Sequence, residues 1–342
     1  MVLEGGAGTV WAVAFHPDGN HFFDGTSEGI RQWRVADGQE VGKQTGMDLN
    51  AISVSMDQKW VVCGTEDGAS VWDGEIRKKV VEVESGESVY SADVAPNCTW
   101  FATGTNGNAS IWNIATGERL VGLLGHGGAV RGVKFSPDGG RIATASSDSA
   151  DDRAIRIFDS YNGDQLISIE NPMSVVYPST PIAWSVDSQR LFATSKDNKI
   201  KLFDSSSGSQ LAEWKIHEND DSDRISVALA ANNKFIASSA GRFVSFWDTS
   251  TQAQVGIVED TQSIRSVALS PDGSRLVTGS EGSGKIIIWD LRGILPDPYL
   301  PINVSTSPHL ENTTYSSFFL PLFDLTLERK WSSVSVIDGS IA

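Results

Sequence analysis

Three groups of residues in this sequence have the types and spacing that chemistry requires. The first is Gly279 to Lys285 (GSEGSGK), which fits GxxxxGK, the opening of a phosphate-binding loop. Such a loop needs a hydroxyl after the lysine to hold magnesium, and a helix N-terminus facing the phosphates. Residue 286 is Ile, and Ile286 to Asp290 (IIIWD) reads as a strand, so the segment is expected to be a turn between two strands. The second group is acidic. Asp148, Asp151 and Asp152 fall in one loop, and Glu218, Asp220, Asp221 and Asp223 in another. Neither has the alternating spacing of a calcium loop. They read as solvated loops, or as a docking face for a partner segment rich in Lys or Arg. The third is His126, a potential general base, but no nucleophile stands at a fitting spacing. Cys63 lies in a strand pattern (VVCGT) and Cys98 in a turn, and no CxxC or Cys/His cluster suggests a metal. No catalytic, cofactor-binding or metal-binding residue is expected.

The elements that carry these residues repeat. In Val130 to Asp159, an apolar strand pattern (Val130, Val133, Phe135) is followed by the turn Ser136-Pro137-Asp138-Gly139. A strand of small and β-branched residues follows (Ile142 to Ser146), then a polar loop and a third strand, Ile155 to Asp159. The aromatic near the end of that third strand recurs as Trp33, Trp72, Trp112, Phe158, Phe203, Trp247 and Trp289. The turn recurs as HPDG, SMDQ, APNC, SPDG, SVDS, AANN and SPDG, beginning at His16, Ser55, Ala95, Ser136, Ser185, Ala230 and Ser270. Both markers repeat at about 40 residues, the period of four strands per propeller blade.

With these markers the sequence resembles the WD40 repeat family over residues 1–291, in particular fungal-type WD40 proteins with repeated SPDG turns. In some of those the propeller follows a nucleotide-binding signalling domain. The resemblance implies an all-β fold: a seven-bladed β-propeller of four-stranded antiparallel blades. The blades start near residues 10, 49, 89, 130, 182, 225 and 264. Residues 1–4 are expected to pair with Ile286 to Asp290 and complete blade 7. Two insertions interrupt the rhythm, Asn171 to Pro181 and His217 to Arg224. Residues 292–342 carry no repeat and read as a mostly disordered tail, whose apolar cluster Phe318 to Phe323 is too short to span a bilayer.

The family often holds each blade with a hydrogen-bonded set of a histidine, a Ser or Thr of the second strand, a turn Asp and the third-strand Trp. The resemblance assigns His126, Ser146 or Ser147, and Asp148 to this role in blade 4, where Phe158 lacks the indole donor. It assigns Thr65, Asp67 and Trp72 in blade 2, Ser195 and Asp197 beside Phe203 in blade 5, and His217 with Trp247 in blade 6, where Gly241 and Arg242 occupy the usual Asp turn. Trp112 and Trp289 take the tryptophan position in blades 3 and 7. These degraded sets leave blade stability to packing.

The formal net charge is −16 and the sequence pI about 4.7, which disfavours unaided binding to nucleic acid or to anionic membranes. MVLEGGAGTVW has neither a basic region nor an apolar stretch of signal-peptide length, so a cytoplasmic or nuclear location is expected and the sequons at Asn97, Asn108, Asn303 and Asn312 are read as chance. The functional expectation is a non-catalytic protein–protein interaction scaffold, an intracellular adaptor in a signalling or regulatory complex. It would act as a monomeric propeller or as a subunit of a larger assembly, without cofactors. The competing readings are a propeller enzyme with a metal in its central channel, and a degenerate WD40 product without a dedicated partner.

Overall fold

Period-two apolar patterning and a tight turn every few residues leave each segment one route to satisfy its backbone: an antiparallel ladder with its sequence neighbour. The structure is a computed structural model that describes residues 1–6, 8–123, 125–147, 154–170, 181–195, 198–216 and 225–301. Its strands form seven four-stranded antiparallel sheets, each built from consecutive strands except where the ring closes. Blade 4 is typical, with Ala129–Phe135, Arg141–Ser147, Ala154–Asp159 and Gln165–Glu170 running from the inside outward. The acidic loop 148–152, the insertions 171–180 and 217–224 and the tail from 302 onward lie outside the described residues.

The first turn of each blade shows why the marker recurs. Ser136 Oγ donates to Asp138 Oδ1 at 2.5 Å, and the same carboxylate oxygen accepts from the Gly140 amide at 3.0 Å. The fourth turn residue must adopt a left-handed backbone. Gly139 does so at φ 73°, and Gln58, Cys98, Ser188 and Asn233 are held there at φ 57° to 66° without the freedom of glycine.

No blade buries its faces alone. One apolar cluster joins Ile155 and Ile157 of blade 4 to Ile182, Trp184 and Phe203 of blade 5, and similar clusters bridge the other blades. The ring closes as the sequence predicts: Val2 lies opposite Ile287, Leu3 opposite Ile286 and Glu4 opposite Lys285. Leu3 packs with Val10 and Val13 of blade 1 and Val277 and Ile286 of blade 7. The approach requires glycine in the GSEGSGK segment. Gly284 accepts from the Gly5 amide at 2.8 Å, and a Cβ on Gly284 would lie 1.6 Å from the Gly6 carbonyl oxygen.

The compact unit extends beyond the repeat, over Met1–Ile302. Two short 3-10 turns, Leu291–Gly293 and Asp297–Tyr299, carry Leu291, Leu295 and Leu300 into the core with Phe235, Val244 and Phe246 of blade 6. Tyr299 Oη donates to Asp248 Oδ2 at 2.7 Å and Lys234 Nζ to the Pro298 carbonyl at 2.7 Å. The sequence assigns residues from 292 onward to the tail because the prolines forbid a strand. It carries no signal that leucines at 291, 295 and 300 bury themselves without one.

Candidate functional site

Where the inner strands begin, Val10, Leu49, Val89, Val130, Ile225 and Ile264 are 0 to 4% exposed and anchor the blades. The residues that follow them alternate to the other side. At four of these positions stand Trp11, Tyr90, Arg131 and Arg265, and the first three, together with Ala12, Ala51 and Ala92, surround the mouth of the central channel. The Arg131 guanidinium lies 3.9 Å from the centre of the Tyr90 ring, and that of Arg265 lies 4.8 Å from that of Trp11. Arg265 also faces Glu281 at 3.7 Å. Both arginines are buried, and stacking on aromatic faces fixes them in place. A divalent cation in this channel would meet the side chains of Arg131 and Lys134 where a metal-dependent enzyme needs carboxylates.

The outer part of the same face is acidic. The ends of the strands of blade 2 surround a pocket of about 180 Å³ that includes Asp48, Glu66, Asp67, Glu82 and Glu84. Of these five, Glu82 is ion-paired, with Lys79 at 2.8 Å. The other four have no ion-pair partner among the described residues. The sequence reading missed this cluster because its residues come from four strand ends rather than from one loop. The strand ends that flank the loop 148–152 and the insertion 217–224 point to this face, since in every blade the first strand starts where the second ends. Asp148, Asp151, Asp152, Glu218, Asp220, Asp221 and Asp223 lie outside the described residues, as do Asp197 and His217.

The tryptophans find simpler partners than the family sets imply. Trp112 Nε1 donates to Thr103 Oγ1 at 2.8 Å, Trp247 to Ser238 Oγ at 3.0 Å and Trp289 to Thr278 Oγ1 at 3.1 Å. Trp33 donates to the Asp24 carboxylate. Each acceptor is the fourth residue of its second strand. In blade 2 that place is taken by Cys63, and Trp72 turns to Ser70 of its own strand at 2.9 Å. Thr65 Oγ1 instead donates to the Gly68 carbonyl, and Asp67 sits exposed in the acidic pocket, so these two are not joined to Trp72. In blade 4, Phe158 has no donor, and Thr144 is left to His126, whose Nε2 lies 2.6 Å from the hydroxyl. Ser146 Oγ donates to the Ala154 carbonyl at 3.4 Å. In blade 5, with Phe203, the fourth residue is Ala193, and Ser195 Oγ donates to the Lys199 carbonyl at 3.4 Å. In blades 1, 3, 6 and 7 the legible signal was therefore an oxygen-bearing fourth residue, Asp24, Thr103, Ser238 or Thr278, paired with a third-strand Trp.

Burial sets the electrostatics of these groups. Asp24, with Oδ2 lacking any hydrogen-bond partner among the described residues, is pushed up to about 6 by desolvation, against the opposing bond from Trp33. The Cys63 thiol is pushed up to about 12 by burial, which makes it chemically inert. Lys285, the lysine of the GxxxxGK match, is held by Asp260 and by Thr261 Oγ1 at 2.9 Å, and the segment forms the turn that the sequence predicts.

The family described as "WD domain, G-beta repeat" matches residues 1–34, 78–113, 117–159, 182–204 and 254–290. Among curated proteins, the chain is 27% identical over 162 residues to a serine-threonine kinase receptor-associated protein of Gallus gallus, covering 47% of this chain and 43% of that protein. It is 37% identical over 79 residues to WD repeat-containing protein 1 of Bos taurus, covering 23% and 12%. It is 23% identical over 170 residues to pre-mRNA-splicing factor cwf17 of Schizosaccharomyces pombe, covering 50% and 48%. The chain spans less than half the length of each of these relatives.

Proposed function

This chain belongs to the WD40 repeat family, and we propose that it is a non-catalytic scaffold for protein–protein interaction, an adaptor within a signalling or regulatory complex. Its partner presents a segment rich in Lys or Arg to the face that carries the channel mouth. The observation that carries this reading is the blade 2 pocket, where Asp48, Glu66, Asp67 and Glu84 add their charge to a chain of net charge −16. Negative charge gathered around a rigid rim steers a basic segment toward the surface. Half-buried Trp11 and Tyr90 at the mouth add aromatic contact area near the centre of that face. The relatives named for a kinase receptor and for splicing agree with a role in protein assemblies.

The test is selection from a display library of random peptides, with the whole chain as bait. Lys- and Arg-rich peptides should be enriched, and their association should slow steeply as salt is raised. The triple substitution Glu66→Gln, Asp67→Asn, Glu84→Gln should slow association several-fold and leave the unfolding midpoint unchanged. Enrichment of peptides without basic character, or equal association rates for the two proteins, would overturn the reading.

A further inference from the structure

We propose that His16, Asp18 and His21 form a three-ligand site for a divalent transition-metal ion on the first hairpin of the ring. The three come from one short stretch, HPDGNH, which closes the inner strand Ala12–Phe15 onto His21–Thr26. His16 Nδ1 lies 3.1 Å from Asp18 Oδ1, and His21 Nδ1 lies 2.8 Å from Asp18 Oδ2. One ligand atom from each residue falls within 4.8 Å of the others. Bonds of about 2.0–2.1 Å to a tetrahedral ion place its ligands about 3.3 Å apart, so small side-chain rotations bring the three into range.

The other blades show what this hairpin needs for folding alone. In four of them a serine donates to the turn aspartate, Ser55 to Asp57, Ser136 to Asp138, Ser185 to Asp187 and Ser270 to Asp272, at 2.5–2.6 Å, and in the other two Ala95 and Ala230 precede Asn97 and Asn232, whose side-chain oxygens accept from the turn. The second strand then opens with Trp60, Trp100, Arg141, Arg190, Phe235 or Arg275. Blade 1 keeps the aspartate, whose Oδ1 still accepts from the Asn20 and His21 amides at 2.7 and 3.0 Å. It replaces the residues on both sides with imidazoles. The turn requires neither histidine, and together with Oδ2 they make a donor set of two nitrogens and one oxygen.

Such a set suits zinc, cobalt, nickel or copper, whereas calcium and magnesium take six or more oxygens. The site is reachable. Asp18 and His21 side chains are 24% and 29% exposed, and Asp18, Gly19 and Asn20 line a cleft of about 290 Å³ shared with Pro271, Asp272 and Arg275 of blade 7. The fourth position of a tetrahedral ion would be left to water or to a donor from a partner.

The test is calorimetric titration of the full chain with zinc, and with cobalt for its visible spectrum. Wild type should bind one zinc per chain. His16→Ser and His21→Arg install residues that other blades already use at these positions. Each should weaken zinc at least tenfold while leaving the metal-free unfolding midpoint unchanged. Cys98→Ser should bind as wild type, and calcium should not compete. Absence of zinc binding, equal affinity in either histidine variant, or loss of binding in Cys98→Ser would overturn the proposal.

Discussion

Asp24 shows how one residue can trade stability for a local bond. The carboxyl accepts from the Trp33 indole, fills the place that Thr103, Ser238 and Thr278 fill in other blades, and is fully buried. Its folded pKa of about 6 lies above the ordinary 3.8, so the folded state holds the proton more tightly than the unfolded one. The stability contributed by that proton is complete below about pH 3.8 and is lost as pH rises through 6. The shift corresponds to on the order of 2–3 kcal/mol at neutral pH. Asp24→Asn keeps an acceptor for Trp33 without the charge. It should stabilise the protein by about that amount at pH 7.5, with the gap over wild type closing near pH 4. Denaturant unfolding at both pH values decides this, and a gap of the same size at both would contradict it.

At the scale of the element, the hairpin turns carry strain that the repeat makes visible. Gly19, Gly139 and Gly273 take the left-handed position freely, while Gln58 holds it at φ 66°. A left-handed backbone costs a residue with a Cβ about 1–2 kcal/mol, part of which glycine returns as unfolded-state entropy. Gln58→Gly should therefore stabilise blade 2 by about 0.5–1 kcal/mol, read as a rise in the denaturant midpoint with an unchanged slope. Gln58 is exposed, so no lost packing confuses the reading. The strands themselves were legible because the turn and the third-strand aromatic recur together. The cap of blade 6 by Leu295, Tyr299 and Leu300 was not, since three apolar residues in a proline-rich stretch have no periodicity to reveal their docking. The His16–Asp18–His21 cluster stood in plain sight, but the HPDG turn was read only as a repeat marker.

For the whole molecule, closure of the ring is the step that removes an open sheet edge. Leu3 is 9% exposed in the seam between blades 7 and 1, while its neighbour Val2 is 61% exposed. Leu3→Ala should cost about 2–3 kcal/mol, and Val2→Ala almost nothing. Equal effects of the two on the unfolding midpoint would mean that the seam does not hold the ring. This closure was legible in the LEGG ending before Trp11. The channel mouth was not, because Trp11, Tyr90 and Arg131 lie on different inner strands and meet only when the ring is formed. Charge at the mouth face leads to the last expectation. The loops at 148–152 and 217–224 are longer than most of their counterparts and are acidic, which solvation alone does not require. The strands on either side of them end on the face that holds the blade 2 acidic pocket. Long-range attraction from such a face acts mainly on the rate of encounter and is screened by salt, while the lifetime of a complex depends on close contacts. Replacing Asp151, Asp152, Asp220 and Asp221 with Asn should therefore slow association with a basic partner and flatten its dependence on ionic strength. Dissociation and unfolding should change little. Stopped-flow association at low and high salt separates these quantities, and an unchanged rate at low salt would show that these loops do not steer the partner.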